Sequence, residues 1–424
     1  MLKSFIIKSL ILFVCLLLFF QFNNGIIEKI NPHSESNHSH SNDSEEFLLG
    51  IDVLKLQNYK ILEGKRVALL TNHTGCDRMG NSTIDLFNQA PNVNLVKLFS
   101  PEHGIEGILE GNIDNSAGDR TQLPVISLYG QNRRPPLHTL EDVDIVVFHI
   151  QDVGARYFTY ITTMVYMMQA VKKTDKEFLV LDRPNPVGGL IVDGAVPPDS
   201  LTNQMTAIYP IPTRHGMTVG ELAIMFNQEF EIGCRLTVTK MRHWHRNMYF
   251  RNTPVSWINL SPNMKTKEGA IFYTGFGWLE ATNLSMGRGT DIPFEILGAP
   301  WINGNELAGE MNRHHLKGIR FIPWTFTPSQ KDFRYYKQKC QGIRAVITDL
   351  SEFDCFLTGL YLTKTISNLY PENYQFLTHF RILFGSAEAE SWLKNNVSPE
   401  AIKARLQPAL EQFLQIRKQY LLYQ

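Results

Sequence analysis

Residues 144–150 read Asp-Ile-Val-Val-Phe-His-Ile, a short and mostly apolar run that is followed at once by Gln151 and Asp152. Similar β-rich runs, with helix-compatible stretches between most of them, lie at residues 66–70, 93–99, 125–128 and 177–181. Short apolar runs that alternate with helical segments are typical of a parallel sheet buried on both faces. We therefore predict an α/β fold, with a Rossmann-like, doubly wound parallel sheet over residues 48–190.

The remainder of the chain, residues 191–424, predicts a smaller α+β C-terminal region. Strand-like runs at residues 319–326 and 343–348 precede helices, and the last helix is expected to start at Ser398 with Pro399 in its first turn. From residue 301 onward we find no cluster of catalytic candidates. We expect this region to close the cleft of the first domain from the other side.

The first residues differ from the rest. Lys3 and Lys8 precede an apolar stretch at residues 10–20, so residues 1–22 have the pattern of an export signal. No small-x-small cleavage site follows, so a cleaved signal peptide and an uncleaved signal anchor both stay open. Residues 23–47 are rich in Asn, Ser, His and Glu and predict a flexible polar tether. We expect an exported protein of the periplasm or cell envelope, either free or membrane-anchored.

The composition excludes some classes of partner. The 41 Lys and Arg residues balance the 41 Asp and Glu residues, which argues against a protein that binds the phosphate backbone of nucleic acid. Residues 71–75 read Thr-Asn-His-Thr-Gly where a dinucleotide-binding domain carries GxGxxG, so a dinucleotide is disfavoured. We expect no cofactor, no metal and no nucleic-acid partner. The oligomeric state stays open.

Polar and ionisable side chains follow four of the predicted strands. Because the carboxyl ends of parallel strands lie along one edge of a sheet, we expect these side chains to line a single cleft. They are Asn72 and His73 after the first strand, Glu102 and His103 after the second, Asp152 and Arg156 after the fourth, and Arg183 and Asn185 after the fifth. The alternative is that these are ordinary polar loops.

Glu102 and Asp152 are the leading acid–base candidates at this edge. Glu102 and His103 stand between Pro101 and Gly104, a stiff and tightly turning context that holds side chains in place. Asp152 directly follows a strongly apolar strand, so we expect it to be partly desolvated, which suits an acid or a base. These features favour a catalytic site.

Arg214 and His215 are candidates from the later part of the chain. They precede a helix whose start is marked by Thr218 and Glu221, the spacing of a capping box. Near that helix N-terminus they either reach an anionic ligand or form a surface pair.

Residues 273–295 hold the remaining candidates. Glu280, Asn283 and Arg288 lie among small residues that allow a ligand to approach the backbone closely, and the Arg288 guanidinium is suited to binding a carboxylate. Tyr273 and Trp278 are either flat faces for a sugar ring or core residues.

Five motifs in order resemble those of a known family. They are SPEHG at residues 100–104, QDVGAR at 151–156, LDRPNP at 181–186, RHGMT at 214–218 and NLSMGRGT at 283–290. The chain resembles the bacterial exo-β-N-acetylmuramidases, also called DUF1343 or glycoside hydrolase family 171, over about residues 48–423.

The resemblance implies a two-domain exo-glycosidase that needs no cofactor. It would release N-acetylmuramic acid from the non-reducing ends of peptidoglycan fragments, either muropeptides or MurNAc–GlcNAc saccharides. The family's leading catalytic candidate is the glutamate of its Pro-Glu-His-Gly motif, which falls on Glu102. His73, Ala281 and the pair Tyr157–Phe158 depart from the family pattern, and they put the choice between N-acetylmuramic acid and N-acetylglucosamine in doubt.

We therefore hypothesise that Glu102 is the general acid, tuned by His103 or a neighbour. Asp152, then Glu280, are candidates for the second catalytic group, and participation by the substrate's own acetamido group is a third possibility. The lactyl carboxylate of muramic acid calls for a cation, for which the candidates are, in order, Arg156, Arg288 and Arg214. The other predicted substrate-binding residues are Asn72, Tyr157, Arg183, Asn185, His215 and Asn283.

Two other classes of protein stay open. One is a non-catalytic protein that binds muropeptides in the same cleft, because a fold alone does not imply catalysis. The other is a cell-wall esterase or amidase, which is weakened by the absence of a GxSxG motif.

Overall fold

The computed structural model describes residues 46–107, 116–117, 122–130 and 132–424. The export signal predicted for residues 1–22 and nearly all of the tether predicted after it lie outside these ranges. Within the described part of the chain, no helix has the length and apolarity needed to cross a membrane.

A seven-stranded sheet forms the first half of the fold. Its strands lie in the order β3-β4-β2-β1-β5-β6-β7. They are β1 (Arg66–Thr71), β2 (Asn94–Ser100), β3 (Ser116–Ala117), β4 (Pro124–Ser127), β5 (Ile145–His149), β6 (Glu177–Leu181) and β7 (Arg235–Thr239). Only the short β3 is antiparallel to its neighbour. Numbered among themselves, the six parallel strands follow the Rossmann order 3-2-1-4-5-6, which confirms the predicted fold class.

The apolar runs of the sequence are explained by burial on both faces of this sheet. Ile145 and Val147 of β5 pack into one core with helices α1 (Gly50–Leu56) and α2 (Thr83–Gln89). Val146 and Phe148 point the other way, into a core with α3 (Tyr160–Lys173) and α4 (Val219–Glu229). Since successive residues of a strand face opposite sides, a strand between two helical layers must be apolar throughout.

Strand β7 was not predicted. It pairs in parallel with β6, so the sheet continues past residue 190, where we placed the end of the Rossmann-like domain. Its sequence, Arg-Leu-Thr-Val-Thr, alternates between apolar and polar residues because β7 is a half-exposed edge strand. A search for continuous apolar runs therefore misses it.

The second half is α+β, as predicted. Strands β8 (Ile296–Ala299), β9 (Ile319–Phe326) and β10 (Cys340–Ile347) form an antiparallel sheet in the order β8-β10-β9. The helices are α5 (Lys267–Phe276), α6 (Gly304–Arg313), α7 (Cys355–Leu369), α8 (Phe380–Phe384), α9 (Ala389–Lys394) and α10 (Pro399–Arg417). Ser398 caps α10, accepting a hydrogen bond from the Ala401 N–H at 3.2 Å.

The last residues, 421–424, return to the first domain, and we call them the closing segment. The Tyr423 hydroxyl donates at 2.6 Å to Oδ2 of Asp182, the residue directly after β6. The main-chain carbonyl of Gln424 accepts from the Arg246 N–H at 2.9 Å. Burial raises the pKa of Asp182 to about 6, although the hydrogen bond from Tyr423 acts in the opposite direction.

This shift predicts a pH-dependent stability. The native state binds the Asp182 proton more tightly than the unfolded chain does. Protonation of Asp182 therefore stabilises the fold fully at pH values below the ordinary carboxyl pKa, and this stabilisation is lost as pH rises through about 6. We expect the difference in unfolding free energy between wild type and Asp182→Asn to change by roughly 2 kcal/mol between pH 4 and pH 7, in favour of wild type at low pH. Urea denaturation at a series of pH values measures it. A constant difference across that range would contradict the expectation.

Candidate active site

The carboxyl ends of β1 and β5 meet at the centre of the sheet, where the strand order reverses. The loops that follow them are tied together by Thr74. Its hydroxyl accepts a hydrogen bond from the Gln151 N–H at 3.0 Å and donates to Asn72 Oδ1 at 2.6 Å. The Asn72 Nδ2 group is buried and has no hydrogen-bond partner among the described residues, so it is available to a ligand.

Glu102 lies in the turn after β2, as predicted. Its Oε2 atom accepts a hydrogen bond of 2.6 Å from the hydroxyl of Thr159, the residue directly before α3. A carboxylate at this position also interacts favourably with the positive end of the helix dipole. The Oε1 atom makes no hydrogen bond to the described part of the chain, which leaves it able to contact a substrate.

The turn that carries Glu102 is conformationally constrained. His103 and Gly104 both adopt left-handed backbone conformations, with φ of 71° and 74°. Such a conformation is costly for a residue with a Cβ atom, and residues in it concentrate at functional sites. His73 lies close by: burial lowers the pKa of its ring, and the charge of His103 lowers it further.

Asp152 and His215 form a buried pair. Asp152 Oδ2 accepts from the Gly154 N–H at 2.6 Å and lies 3.4 Å from His215 Nε2. The Met217 N–H donates to His215 Nδ1 at 3.2 Å, so a neutral His215 carries its proton on Nε2, facing Asp152. Asp152 Oδ1 is buried without a partner among the described residues. The side chain is therefore fixed by one oxygen and presents the other.

Tyr273, on α5, is within electrostatic range of three of the predicted acidic residues. Burial raises the pKa of its hydroxyl, and the charges of Glu280, Glu102 and Asp152 raise it further. Three carboxylates from three separate segments thus lie within electrostatic reach of one phenol. Its hydroxyl makes no hydrogen bond to any described residue, whereas its ring is packed at 4.9 Å from the ring of Tyr157 and 4.6 Å from that of Phe294.

Glu280 and Arg288 pair with one another. The Arg288 guanidinium makes a bidentate contact with Glu280, through Nε to Oε1 and through Nη2 to Oε2 at 2.9 Å. It also packs over the rings of Phe294 and Phe333, at 5.3 and 5.7 Å from their centres. The charge of Arg288 is therefore largely compensated before any substrate binds, and so is that of Glu280.

Three of the predicted arginines are internal ties. Arg156 is 1% exposed and donates to the carbonyls of Thr206, Ile382 and Leu383, which joins the first domain to α8. Arg183 donates to Gln151 Oε1 at 2.9 Å and to the Cys76 carbonyl at 2.7 Å. Arg214 is 4% exposed and donates to the Val187 carbonyl. Burial and these contacts use donors of all three side chains inside the protein. That Arg156 and Arg214 bind a substrate carboxylate and that Arg183 contacts substrate stay predictions.

Tyr157, Asn185 and Asn283 are likewise used within the protein. The Tyr157 hydroxyl donates to the Tyr273 carbonyl, and its ring is buried. Asn185 Nδ2 donates to the Met217 carbonyl at 2.9 Å, and Asn283 Nδ2 donates to the Asn373 carbonyl at 2.6 Å. Trp278 is fully buried, so it belongs to the core and is not a sugar platform.

The loop of residues 257–264 was not among the predicted site residues. The Asn259 carbonyl contacts His73 Nε2 at 2.5 Å, and the Leu260 carbonyl accepts from the Tyr160 hydroxyl at 3.0 Å. Asn263 Oδ1 accepts from the Gly289 N–H at 3.1 Å. The loop thus connects the sheet edge to the segment that carries Arg288. Its signal in the sequence was Pro262 between two polar residues, which is typical of a turn.

We find no candidate metal-binding cluster in the part of the chain that the structure describes. No group of three or more His, Cys, Asp or Glu side chains there is arranged to bind an ion.

Both halves of the chain match models of a known protein family. The N-terminal model of the exo-β-N-acetylmuramidase NamZ matches residues 67–268, and the C-terminal model matches residues 271–423. The chain belongs to the exo-β-N-acetylmuramidase family. The resemblance drawn from its five motifs is thereby confirmed. Glu102 and Asp152 fall in the N-terminal family model, whereas Tyr273, Glu280 and Arg288 fall in the C-terminal one, so the cluster around Tyr273 combines residues from both.

Individual members of the family are also similar to this chain in sequence and fold. The chain is 41% identical over 378 residues to the peptidoglycan β-N-acetylmuramidase NamZ of Bacillus subtilis (strain 168), which covers 88% of this chain and 91% of that one. Crystal structures of two DUF1343 family proteins from Bacteroides fragilis NCTC 9343 share its fold. They are 37% and 30% identical, with TM-scores of 0.83 and 0.73, and each match covers 89% of this chain and 99% of the other.

Proposed function

We propose that this chain is an exo-acting β-N-acetylmuramidase that releases N-acetylmuramic acid from the non-reducing ends of peptidoglycan fragments, with Glu102 as general acid. Membership of the exo-β-N-acetylmuramidase family makes it a glycoside hydrolase. The observation that carries the proposal is that Glu102, Asp152 and Glu280, from three segments, all act electrostatically on Tyr273. The Tyr273 ring packs against Tyr157 and Phe158, which directly precede the Thr159 that holds Glu102. A relative at 41% identity is a peptidoglycan β-N-acetylmuramidase, which supports the substrate class.

Glu102 suits the acid role because of how it is held. Cleavage of a β-glycoside requires a proton on the leaving oxygen while a second group acts at the anomeric carbon. The Thr159 hydroxyl holds one oxygen of Glu102, and the other is directed to no described residue. In this proposal that oxygen delivers the proton to the leaving sugar.

Asp152 is the better candidate for the second group. The Gly154 N–H donates to one of its oxygens, which lies 3.4 Å from His215 Nε2, and the other oxygen has no partner among the described residues. Glu280 ranks below it because Arg288 engages both of its oxygens. Asp152 acts either directly, as base or nucleophile, or by orienting the substrate's acetamido group. The Asn72 amide and the Tyr273 hydroxyl supply further hydrogen bonds to the sugar.

Chromogenic β-glycosides test this function. We expect purified protein to release the chromophore from the β-N-acetylmuraminide and to act far more slowly on the β-N-acetylglucosaminide. A saccharide labelled at its reducing end tests the exo mode, since an exo-enzyme shortens it one residue at a time from the other end. Release from the glucosaminide alone would replace the substrate assignment, and binding of muropeptides without release would make the chain a binding protein.

The substrate also bears on location. We propose that the protein is exported and acts in the cell envelope, because peptidoglycan lies outside the cytoplasmic membrane. The apolar stretch at residues 10–20, preceded by Lys3 and Lys8, supports this. Cell fractionation with detection of the protein tests it, and recovery in the cytoplasm alone would contradict it.

A further inference from the structure

A recess of about 260 Å³ opens beside Glu280. Its charged lining residues are Glu280, Arg288, Asp332 and Arg334, and Leu284 and Met286 contribute apolar surface. Ligand pockets for whole small molecules usually measure about 300–1,000 Å³, so this volume suits one substituent of a larger ligand. Arg334 comes from the segment between β9 and β10, in the part of the chain where we found no cluster of catalytic candidates.

The charges in the recess are not equivalent. Glu280 and Arg288 satisfy one another, and Asp332 is exposed at the rim. Arg334 is half-buried, and its Nη1 group donates to the carbonyls of Thr282 and Leu284. Its Nε and Nη2 groups make no hydrogen bond to any described residue. A guanidinium fixed through one nitrogen, with its other donors unused, is prepared to bind an anion.

A second donor lies in the same recess. Ser285 is 4% exposed, and its hydroxyl makes no hydrogen bond within the described part of the chain. Because the Ser285 oxygen is not one of the buried atoms without a partner, the hydroxyl is accessible to a ligand in the recess. Ser285 and Arg334 therefore both have donors that a bound carboxylate can accept from.

The recess is linked to the proposed catalytic residues. Arg288, which lines the recess, packs over the ring of Phe294 at 5.3 Å, and that ring lies 4.6 Å from the ring of Tyr273. A sugar held at Tyr273 would thus lie beside the recess. N-Acetylmuramic acid differs from N-acetylglucosamine by a lactyl ether that ends in a carboxylate. The three cations that we first considered are less available to it, since Arg156 and Arg214 are buried ties and Arg288 is paired with Glu280.

We propose that Arg334, assisted by the Ser285 hydroxyl, binds the lactyl carboxylate and so sets the preference for N-acetylmuramic acid over N-acetylglucosamine. The assignment rests on the proposed function and names the group within that site which reads the substituent.

Replacement of Arg334 by Gln tests this, with the exposed Arg320→Gln on β9 as matched control. We expect Arg334→Gln to lower kcat/KM for the chromogenic muraminide, and the affinity for free N-acetylmuramic acid measured by calorimetry, by roughly ten- to a hundredfold. Binding of N-acetylglucosamine should stay as in wild type. Arg334→Lys should recover part of the loss, because it keeps the charge without the two-pronged geometry. Arg320→Gln should match wild type throughout.

The outcomes separate the inference from the function on which it rests. If wild type cleaves the muraminide and Arg334→Gln keeps its full preference, the inference is overturned and the function stands. If both Arg334 variants lose the two sugars equally, Arg334 serves only the fold of the loop and the inference is again overturned. If wild type neither cleaves nor binds N-acetylmuramic acid, the proposed function fails and the inference fails with it.

Discussion

Replacement of Glu102 by Gln is expected to lower kcat on an unactivated muramyl substrate by about a hundred- to ten-thousandfold, the usual contribution of a general acid. Gln keeps the size of the side chain and an oxygen that can accept the 2.6 Å hydrogen bond from Thr159, so the fold and the binding of N-acetylmuramic acid should persist. Steady-state kinetics and calorimetry measure the two quantities separately.

The leaving group gives this prediction a sharper form. A leaving sugar needs a proton on its hydroxyl oxygen to depart, whereas an activated phenolate departs without one. The loss caused by Glu102→Gln should therefore shrink as the leaving group becomes more acidic, while Glu106→Gln, an exposed change in the same turn, should behave as wild type with every substrate. An equal loss with all leaving groups would assign Glu102 to another role.

Replacement of Arg246 by Met should cost about 3–5 kcal/mol of unfolding free energy. Arg246 is 6% exposed and pairs with Glu221, which is fully buried at the start of α4. It also donates to the Tyr423 carbonyl at 3.0 Å and to the Gly216 carbonyl at 3.2 Å. Without Arg246 the Glu221 charge stays buried with too few partners, and denaturant unfolding should show the loss.

A surface pair provides the control. Arg66 makes a bidentate contact with Asp144, but the two side chains are 45% and 38% exposed. Exposed ion pairs contribute little to stability, so Arg66→Met should cost far less than Arg246→Met. Adding Glu221→Gln to Arg246→Met should restore part of the stability, because it removes the uncompensated charge. Equal losses for Arg246→Met and Arg66→Met would refute the argument from burial.

Much of the fold could be predicted from the sequence because the relevant signals are local. A strand between two helical layers must be apolar throughout, and five of the six parallel strands showed that pattern. The parallel arrangement then places the residues after each strand at one edge. The same arrangement predicts that Glu102 and Asp152 line one cleft, and in the structure the charges of both act on Tyr273.

The roles of the arginines could not be predicted, because a binding arginine and an internal tie look alike in a sequence. Two of the three carbonyls that engage Arg156 belong to Ile382 and Leu383, more than two hundred residues away. Arg288 offered a suitable guanidinium, but its pairing with Glu280 depends on the local turn. Arg334 gave no signal, since only the folded chain places it beside Glu280.

The closing segment has a consequence for how the protein is made. Synthesis proceeds from the first residue to the last, so β6 and α4 leave the ribosome long before Tyr423 and Gln424. Until those residues emerge, Asp182 lacks the hydrogen bond from the Tyr423 hydroxyl, and Arg246 lacks the Tyr423 carbonyl that accepts from its side chain. The native contacts of the Rossmann-like domain are therefore complete only after Tyr423 and Gln424 have been translated.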